Sequence, residues 1–363
     1  MSHRKIKISA LQLFLLIIAL IFSDIPIVNN TRFAMQDAWL AYLIGMLMGI
    51  GIITIYIGIA RMHMGKNLVE ILQDTFGKTI GTVAALLYLW YFLHIAAIVL
   101  RVYSEYMVVV NYFETPKLFI MICLMIIIVY NLRKGFEVVG RVSELSIPLM
   151  AFSVIVLFFL LASSFKFDFI RPFLKEGLAP VLRVAWGIAT YPFGELIILL
   201  MIFPYLNEQN KLARTTYLGV AAGGILLFLI IIRDLLVLGP NLLSILVFPA
   251  NVSTALLPTV GLEPLISINL LIGGLGFLCV YIHSATLAIA QIFKIQEHRI
   301  FILPIVSLII GLSIWLYDNI SEMFAFLHRV YAYYSILFQI VIPLIILLVS
   351  YIKAGRRSQL PTQ

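Results

Sequence analysis

Tyr191-Pro192-Phe193-Gly194-Glu195 interrupts an otherwise apolar run covering residues 181–205. Proline removes a backbone donor and clashes with the preceding turn, and glycine tolerates backbone angles that other residues avoid. A carboxylate beside them, at bilayer depth, is costly unless it faces protein or water. The combination predicts a transmembrane helix broken near its middle. In transporters such breaks are where small polar ligands bind.

Around this tract the chain has 363 residues, 63% hydrophobic and 12% charged, with a mean hydropathy of +1.08. A soluble chain carries about 25% charged residues. The apolar runs are too long and too many for soluble core helices, so the composition predicts an all-α integral membrane protein with one domain over residues 1–363. Connections are short, with room for local structure only near 61–79, 164–181 and 239–258. Cys123 and Cys279 lie inside apolar segments and give neither a disulfide framework nor a metal spacing. Arg4, Lys5 and Lys7 precede an apolar stretch as in a signal peptide, but no small-residue cleavage site follows, which predicts a retained first helix.

At about 20 apolar residues per span, ten helices fall near 8–28, 36–60, 81–110, 118–132, 143–163, 182–205, 214–236, 262–293, 300–317 and 333–352. With a cytoplasmic amino terminus, sixteen of the 25 Lys and Arg residues lie on the cytoplasmic side, eight lie opposite, and Arg101 is inside a helix. The positive-inside rule therefore places both termini in the cytoplasm. It also makes the net charge of +8 a topology signal, not a nucleic-acid patch. The sixth span comes five helices after the first, and an odd offset inverts topology. The first span carries its own polar interruption, Ser23-Asp24-Ile25-Pro26. Paired interruptions in two inverted five-helix halves point to a midplane binding site. Because Asp24 and Pro26 lie near the end of that span, a simple helix end is the competing reading.

Other intramembrane polar residues have both a plain and a functional reading. Glu195 opens the inner half of the broken helix, where exposed amides favour an acid; it is a cap, a partner for a ligand amine or proton, or both. Arg101 and Glu105 are four apart on one face of the third span and can neutralise each other. His94, two turns earlier, is either hydrogen-bonded packing or part of a water or proton path. In the eighth span, Ser284 and Thr286 can satisfy neighbouring backbone or a ligand, while Tyr281 can gate a pocket. Arg233-Asp234 reads as an interfacial ion pair closing the seventh span. Gly45, Gly49 and Gly58 suit close helix packing. No phosphate loop, His-Glu-x-x-His, Cys-x-x-Cys or Gly-x-Ser-x-Gly motif occurs, so no enzyme activity, cofactor or metal is expected.

Several stretches, in this order, resemble one family: Ile8-Ser9-Ala10-Leu11-Gln12-Leu13-Phe14, Gln36-Asp37-Ala38-Trp39-Leu40, Gly65-Lys66-Asn67-Leu68-Val69-Glu70-Ile71-Leu72, Arg133-Lys134-Gly135-Phe136-Glu137-Val138, Pro192-Phe193-Gly194-Glu195 and Leu238-Gly239-Pro240. The chain is similar along its whole length to the B subunits of the nutrient germinant receptors of bacterial spores, within the amino acid–polyamine–organocation permease superfamily. The resemblance implies a LeuT-like 5+5 inverted repeat, with halves at about 8–163 and 182–352. It also implies a membrane subunit that senses a nutrient, typically an amino acid, with an A subunit and a C-subunit lipoprotein in the spore inner membrane. Family members carry glycines at the first break; here Asp24 stands there instead. An ionised Asp24 repels a ligand carboxylate, so a cationic or neutral ligand, or a proton on Asp24, fits better.

These readings converge on a ligand site built from Ser23, Asp24, Ile25, Pro26, Tyr103, Tyr191, Pro192, Phe193, Gly194, Glu195, Tyr281 and Ser284, with Arg101, Glu105 and His94 as an ion pair or a water or proton path. An ordinary amino acid or polyamine permease, proton-coupled through Asp24 or Glu195, is the alternative function. The superfamily's coupling lysine in the fifth helix is missing, since no Lys or Arg lies between Arg141 and Lys166.

Overall fold

Ser9 begins the first helix: its hydroxyl accepts from the Gln12 amide while the Gln12 side chain accepts from the Ser9 amide. This capping box satisfies two of the donors that every helix start leaves open. The computed structural model describes residues 7–23, 25–256 and 261–358, apart from the side chains of 25, 26, 263 and 354–358. The first helix, α1, is Ala10–Phe22, and a short helix α2, Ile25–Val28, follows it. Thirteen residues reach about 20 Å, short of a hydrocarbon core of about 30 Å. The first span therefore crosses in two pieces, with Ser23 off the helical conformation between them.

Five further helices complete the first half: α3 Ala38–Met62, α4 Leu68–Phe76, α5 Lys78–Val110, α6 Lys117–Lys134 and α7 Phe136–Leu160. Gly135, at φ 117, makes the tight turn from α6 into α7, a conformation that favours glycine. In the second half come α8 Leu178–Thr190, α9 Leu199–Ile202, α10 Leu212–Ile245, α11 Pro249–Ala255, α12 Glu263–Ile292, α13 Ile302–Trp315, α14 Ile320–Arg329, α15 Tyr331–Ile336 and α16 Ile342–Ser358. Eight described segments are long and apolar enough to cross a membrane. α1 and α6 occupy the places expected for the other two of ten.

Boundaries shift where charge misled the reading. Arg141 was expected in a loop, but α7 begins at Phe136 and contains it. The seventh span continues to Ile245 through a kink at Gly239 (φ 77) followed by Pro240, so residues 239–245 are not an open connection. Arg233 and Asp234 form the expected ion pair, but it does not close the span, which runs on to Ile245, and each side chain is buried in protein at 1% exposed. Arg233 donates to Asp234 Oδ1 from Nε at 2.9 Å and Nη2 at 2.7 Å, and Ser253 of α11 donates to the same oxygen at 2.7 Å. α11 is the cover that sequence periodicity did not reveal.

Each broken helix packs on the second long helix of the other half: α1 on α10, and α8 on α3. Gly45 and Gly49 permit the second contact, because a Cβ at Gly45 would overlap Ile188 and one at Gly49 would overlap Phe193. At the end of the bundle holding both termini, Ile8 donates to the Tyr205 carbonyl at 2.8 Å and accepts from the Asn207 amide at 3.0 Å. Lys353 closes over α4 at the same end, donating to the carbonyls of Asp74 and Thr75 at 3.0 Å each.

Candidate functional site

Breaking a helix inside a membrane leaves carbonyls without partners, and no water is present to take them. α8 ends at Thr190, Tyr191 is extended (φ −139, ψ 103), and a tight 3-10 segment, Phe193–Ile198, resumes the path. The freed carbonyls are met by side chains from other spans. Gln339 Nε2 donates to Thr190 O at 3.0 Å, Tyr56 to Gly194 O at 3.0 Å, and Tyr281 to Glu195 O at 3.0 Å. At the first break, Tyr103 donates to Ser23 O at 2.7 Å.

Glu195 is 1% exposed, and its Oε1 accepts from the Tyr331 hydroxyl at 2.6 Å. Tyr331 spends its only proton there, so the 3.2 Å contact between the Tyr91 and Tyr331 hydroxyls has Tyr91 as donor. Tyr91 in turn accepts from Gln339 Nε2 at 2.8 Å. The result is one directed chain, Gln339 to Tyr91 to Tyr331 to Glu195, joining the third, sixth and tenth spans. Gln339 lies in a π-helical stretch, Leu337–Val341, a distortion often found at functional sites. A Cβ at Gly194 would overlap the Gln339 amide, so glycine is what lets this chain sit against the break.

The expected residues divide into three groups. Ser23, Tyr103, Tyr191, Pro192, Phe193, Gly194, Glu195 and Tyr281 gather at the two breaks. Tyr191 meets the Tyr331 ring edge-on with centroids 5.1 Å apart, and Phe193 packs 6.3 Å from the Tyr42 ring. Asp24 lies outside the described residues, as do the side chains of Ile25 and Pro26. Ser284 is fully buried, but its hydroxyl has no hydrogen-bond partner among the described residues, unlike Thr286, which donates to His283 O at 2.8 Å. Of the two readings of Ser284, backbone satisfaction is not seen among the described residues.

Arg101, Glu105 and His94 stand apart, for no hydrogen bond among the described residues joins them to the Glu195 chain. Glu105 Oε1 takes Arg101 Nε and Lys117 Nζ at 2.7 Å each, and Arg101 Nη1 donates to Ser313 O at 3.0 Å. His94 sits between Tyr334 at 3.2 Å and Tyr317 at 3.4 Å, with its ring stacked on Trp90. Tyr56, Tyr91, Tyr331 and Gln339 escaped the sequence reading. Gln339 had a signal, as a lone amide in the apolar stretch 333–352, where an intramembrane polar residue points to function. The tyrosines had none, because aromatic residues are common packing elements.

Tyr331 and Thr190 also face a cavity of about 400 Å³ at the end of the bundle away from the termini. Its walls come from the segment after α2, the middle and end of α8, and α14 with the first turn of α15.

Comparison with known proteins agrees with this architecture. A family model described as "Spore germination protein" matches residues 7–323. Spore germination protein KB of Bacillus subtilis (strain 168) is 29% identical over 98% of this chain and 97% of its own length. Putative spore germination protein YfkT of the same organism is 29% identical over 60% of this chain and 59% of its own. Among solved structures, a substrate-bound outward-open state of a Na+-coupled sialic acid symporter superposes with a TM-score of 0.68 at 12% identity, covering 90% of this chain and 80% of the other. At that identity the likeness establishes a shared LeuT-like transporter fold.

Proposed function

The chain belongs to the spore germination protein family, and from that premise we propose that it is the membrane subunit of a nutrient germinant receptor. It senses a small polar ligand, of amino-acid type, at the two helix breaks. The observation that carries this reading is the buried Glu195 carboxylate, set immediately after the sixth-span break and tied through Tyr331 and Tyr91 to Gln339 of the tenth span. A ligand shifts a conformational equilibrium only by binding one state better than another. A ligand group that takes the Tyr331 hydroxyl away from Glu195 would alter contacts in three spans at once. An A subunit and a C-subunit lipoprotein read that change, in a spore inner membrane with both termini cytoplasmic. The five-helix halves, about 8–163 and 182–352, supply the opposed motions.

Replacing Glu195 with Gln tests the site. The expected result is a shifted nutrient dose response for germination at unchanged protein level, and an unchanged dose response overturns the assignment. The likeness to a symporter fold favours one second reading, an amino acid or polyamine permease with proton coupling through Asp24 or Glu195. Gradient-driven accumulation of labelled amino acids in liposomes holding the purified protein separates the two, since a pure sensor accumulates none.

A further inference from the structure

The cavity above Tyr331 has a chemistry of its own. Its volume of about 400 Å³ falls within the usual range of small-molecule sites. Arg183, Arg329, His328, Asn30 and Thr190 line it together with Tyr331, and no Asp or Glu is among its lining residues. Arg32 stands behind His328, with Nη2 3.2 Å from His328 Nε2 and Nη1 donating to Leu246 O at 2.6 Å. None of Arg32, Arg183 and Arg329 forms an ion pair among the described residues, whereas Arg101 and Arg233 are both paired. Two buried polar atoms here, Asn30 Oδ1 and His328 Nδ1, lack hydrogen-bond partners among the described residues. Burial, helped by the neighbouring Arg32 and Arg329, pushes His328 down to about 4. The ring is therefore neutral at ordinary pH, and the positive field around it has no ion-pair partner among the described residues.

We propose that this cavity is a binding site for the carboxylate of a small zwitterion, held by Arg183 and Arg329 with its amine toward the open Asn30 Oδ1. It adjoins the sixth-span break through Thr190 and Tyr331, but its arginines are not part of the break, and the proposal does not depend on a ligand there. Paired arginine donors match the planar geometry of a carboxylate. The site also relieves a conflict in the sequence: Asp24 and Glu195 oppose a carboxylate at the breaks, while the arginines favour one at this mouth. An anionic lipid headgroup shares the same chemistry, and the experiment separates the two.

Thermal unfolding of the full chain, purified in uncharged detergent, is measured with each of the twenty L-amino acids. Each stabilising compound is then compared with its α-amide, which keeps the amine and loses the carboxylate charge. Stabilisation follows binding to the folded state alone. At least one amino acid is expected to raise the melting temperature, with at least tenfold weaker apparent affinity for its amide. Arg183→Gln and Arg329→Gln should each weaken it by a similar factor, and Glu195→Gln is measured beside them to separate this cavity from the helix breaks. No stabilisation by any amino acid, equal binding of the amides, or wild-type affinity in both arginine variants overturns the proposal. Binding lost only in Glu195→Gln does so too, while leaving the reading of the helix breaks intact. Arginine-dependent stabilisation by phosphatidylglycerol nanodiscs without any by amino acids assigns the arginines to lipid, and also overturns it.

Discussion

The side-chain amide of Gln339 donates to the backbone carbonyl of Thr190 at 3.0 Å. One atom of the tenth span thus closes the exposed end of α8 and, through Tyr91, orients the hydroxyl that reaches Glu195. A helix break needs external partners for its backbone, and here those partners are the same groups that hold the buried acid. Backbone satisfaction and side-chain polarity at this site are therefore coupled, and movement of the tenth span disturbs both.

Gly194 and Gln339 should behave as a coupled pair. Gly194→Ala places a methyl group on the Gln339 amide and should cost about 1–3 kcal/mol, the usual penalty of overpacking. Adding Gln339→Ser makes room, so the double variant should recover part of the loss, with an interaction energy of about 1 kcal/mol in a thermal-unfolding cycle. Strict additivity of the two single changes would show that they do not touch.

Tyr331→Phe removes the donor from Glu195 without changing ring packing against Tyr191. Leaving a buried acceptor short of its bond costs about 1–3 kcal/mol, so melting should fall measurably while the fold persists. The same variant should shift the nutrient dose response in the direction of Glu195→Gln, because one removes the donor of this bond and the other removes the charge that strengthens it. Opposite shifts in the two variants would separate Tyr331 from the sensing step.

Much of this architecture is written in local chemistry. Pro192 and Gly194 announce the sixth-span break because no continuous helix accommodates their backbone demands, and Arg101 with Glu105 announces a pair by its spacing. Gln339 was legible as a lone amide but was not joined to the break, since 145 positions separate it from Gly194 and only tertiary packing brings them together. The tyrosines 56, 91 and 331 show why the rest was hidden. A tyrosine signals burial of its ring, and whether its hydroxyl meets a freed carbonyl depends on the register between helices. The burial of Arg233 and Asp234 was hidden for the same reason, because their cover, α11, comes from a segment that reads as a connection.

The cluster around Glu105 predicts unequal costs for its members. The Arg101 and Glu105 side chains are 5% and 8% exposed, and that of Lys117 is 40% exposed. Glu105→Gln leaves a buried guanidinium without its counter-ion and should destabilise by about 3–5 kcal/mol. Lys117→Met removes a solvent-facing partner while the Arg101 pair persists, and should cost less than about 1 kcal/mol. Thermal unfolding of the two variants side by side checks this; equal losses would mean that Lys117 is the main partner of Glu105.

His328 makes stability depend on pH in a defined window. Its folded value is pushed from 6.5 down to about 4, first by burial and then by Arg32 and Arg329. Between those values the unfolded chain takes up a proton that the folded chain refuses. The stabilising contribution is therefore complete above about pH 6.5 and is lost as pH falls toward 4. His328→Gln cannot titrate, so its melting temperature should fall less steeply than that of the wild type over this window. Arg32→Gln removes one of the repelling charges, should raise the folded value, and narrows the window from below. Melting curves of the three proteins at half-unit steps from pH 7.5 to 4 decide the matter, and parallel profiles would show that His328 stays hydrated and open to protons.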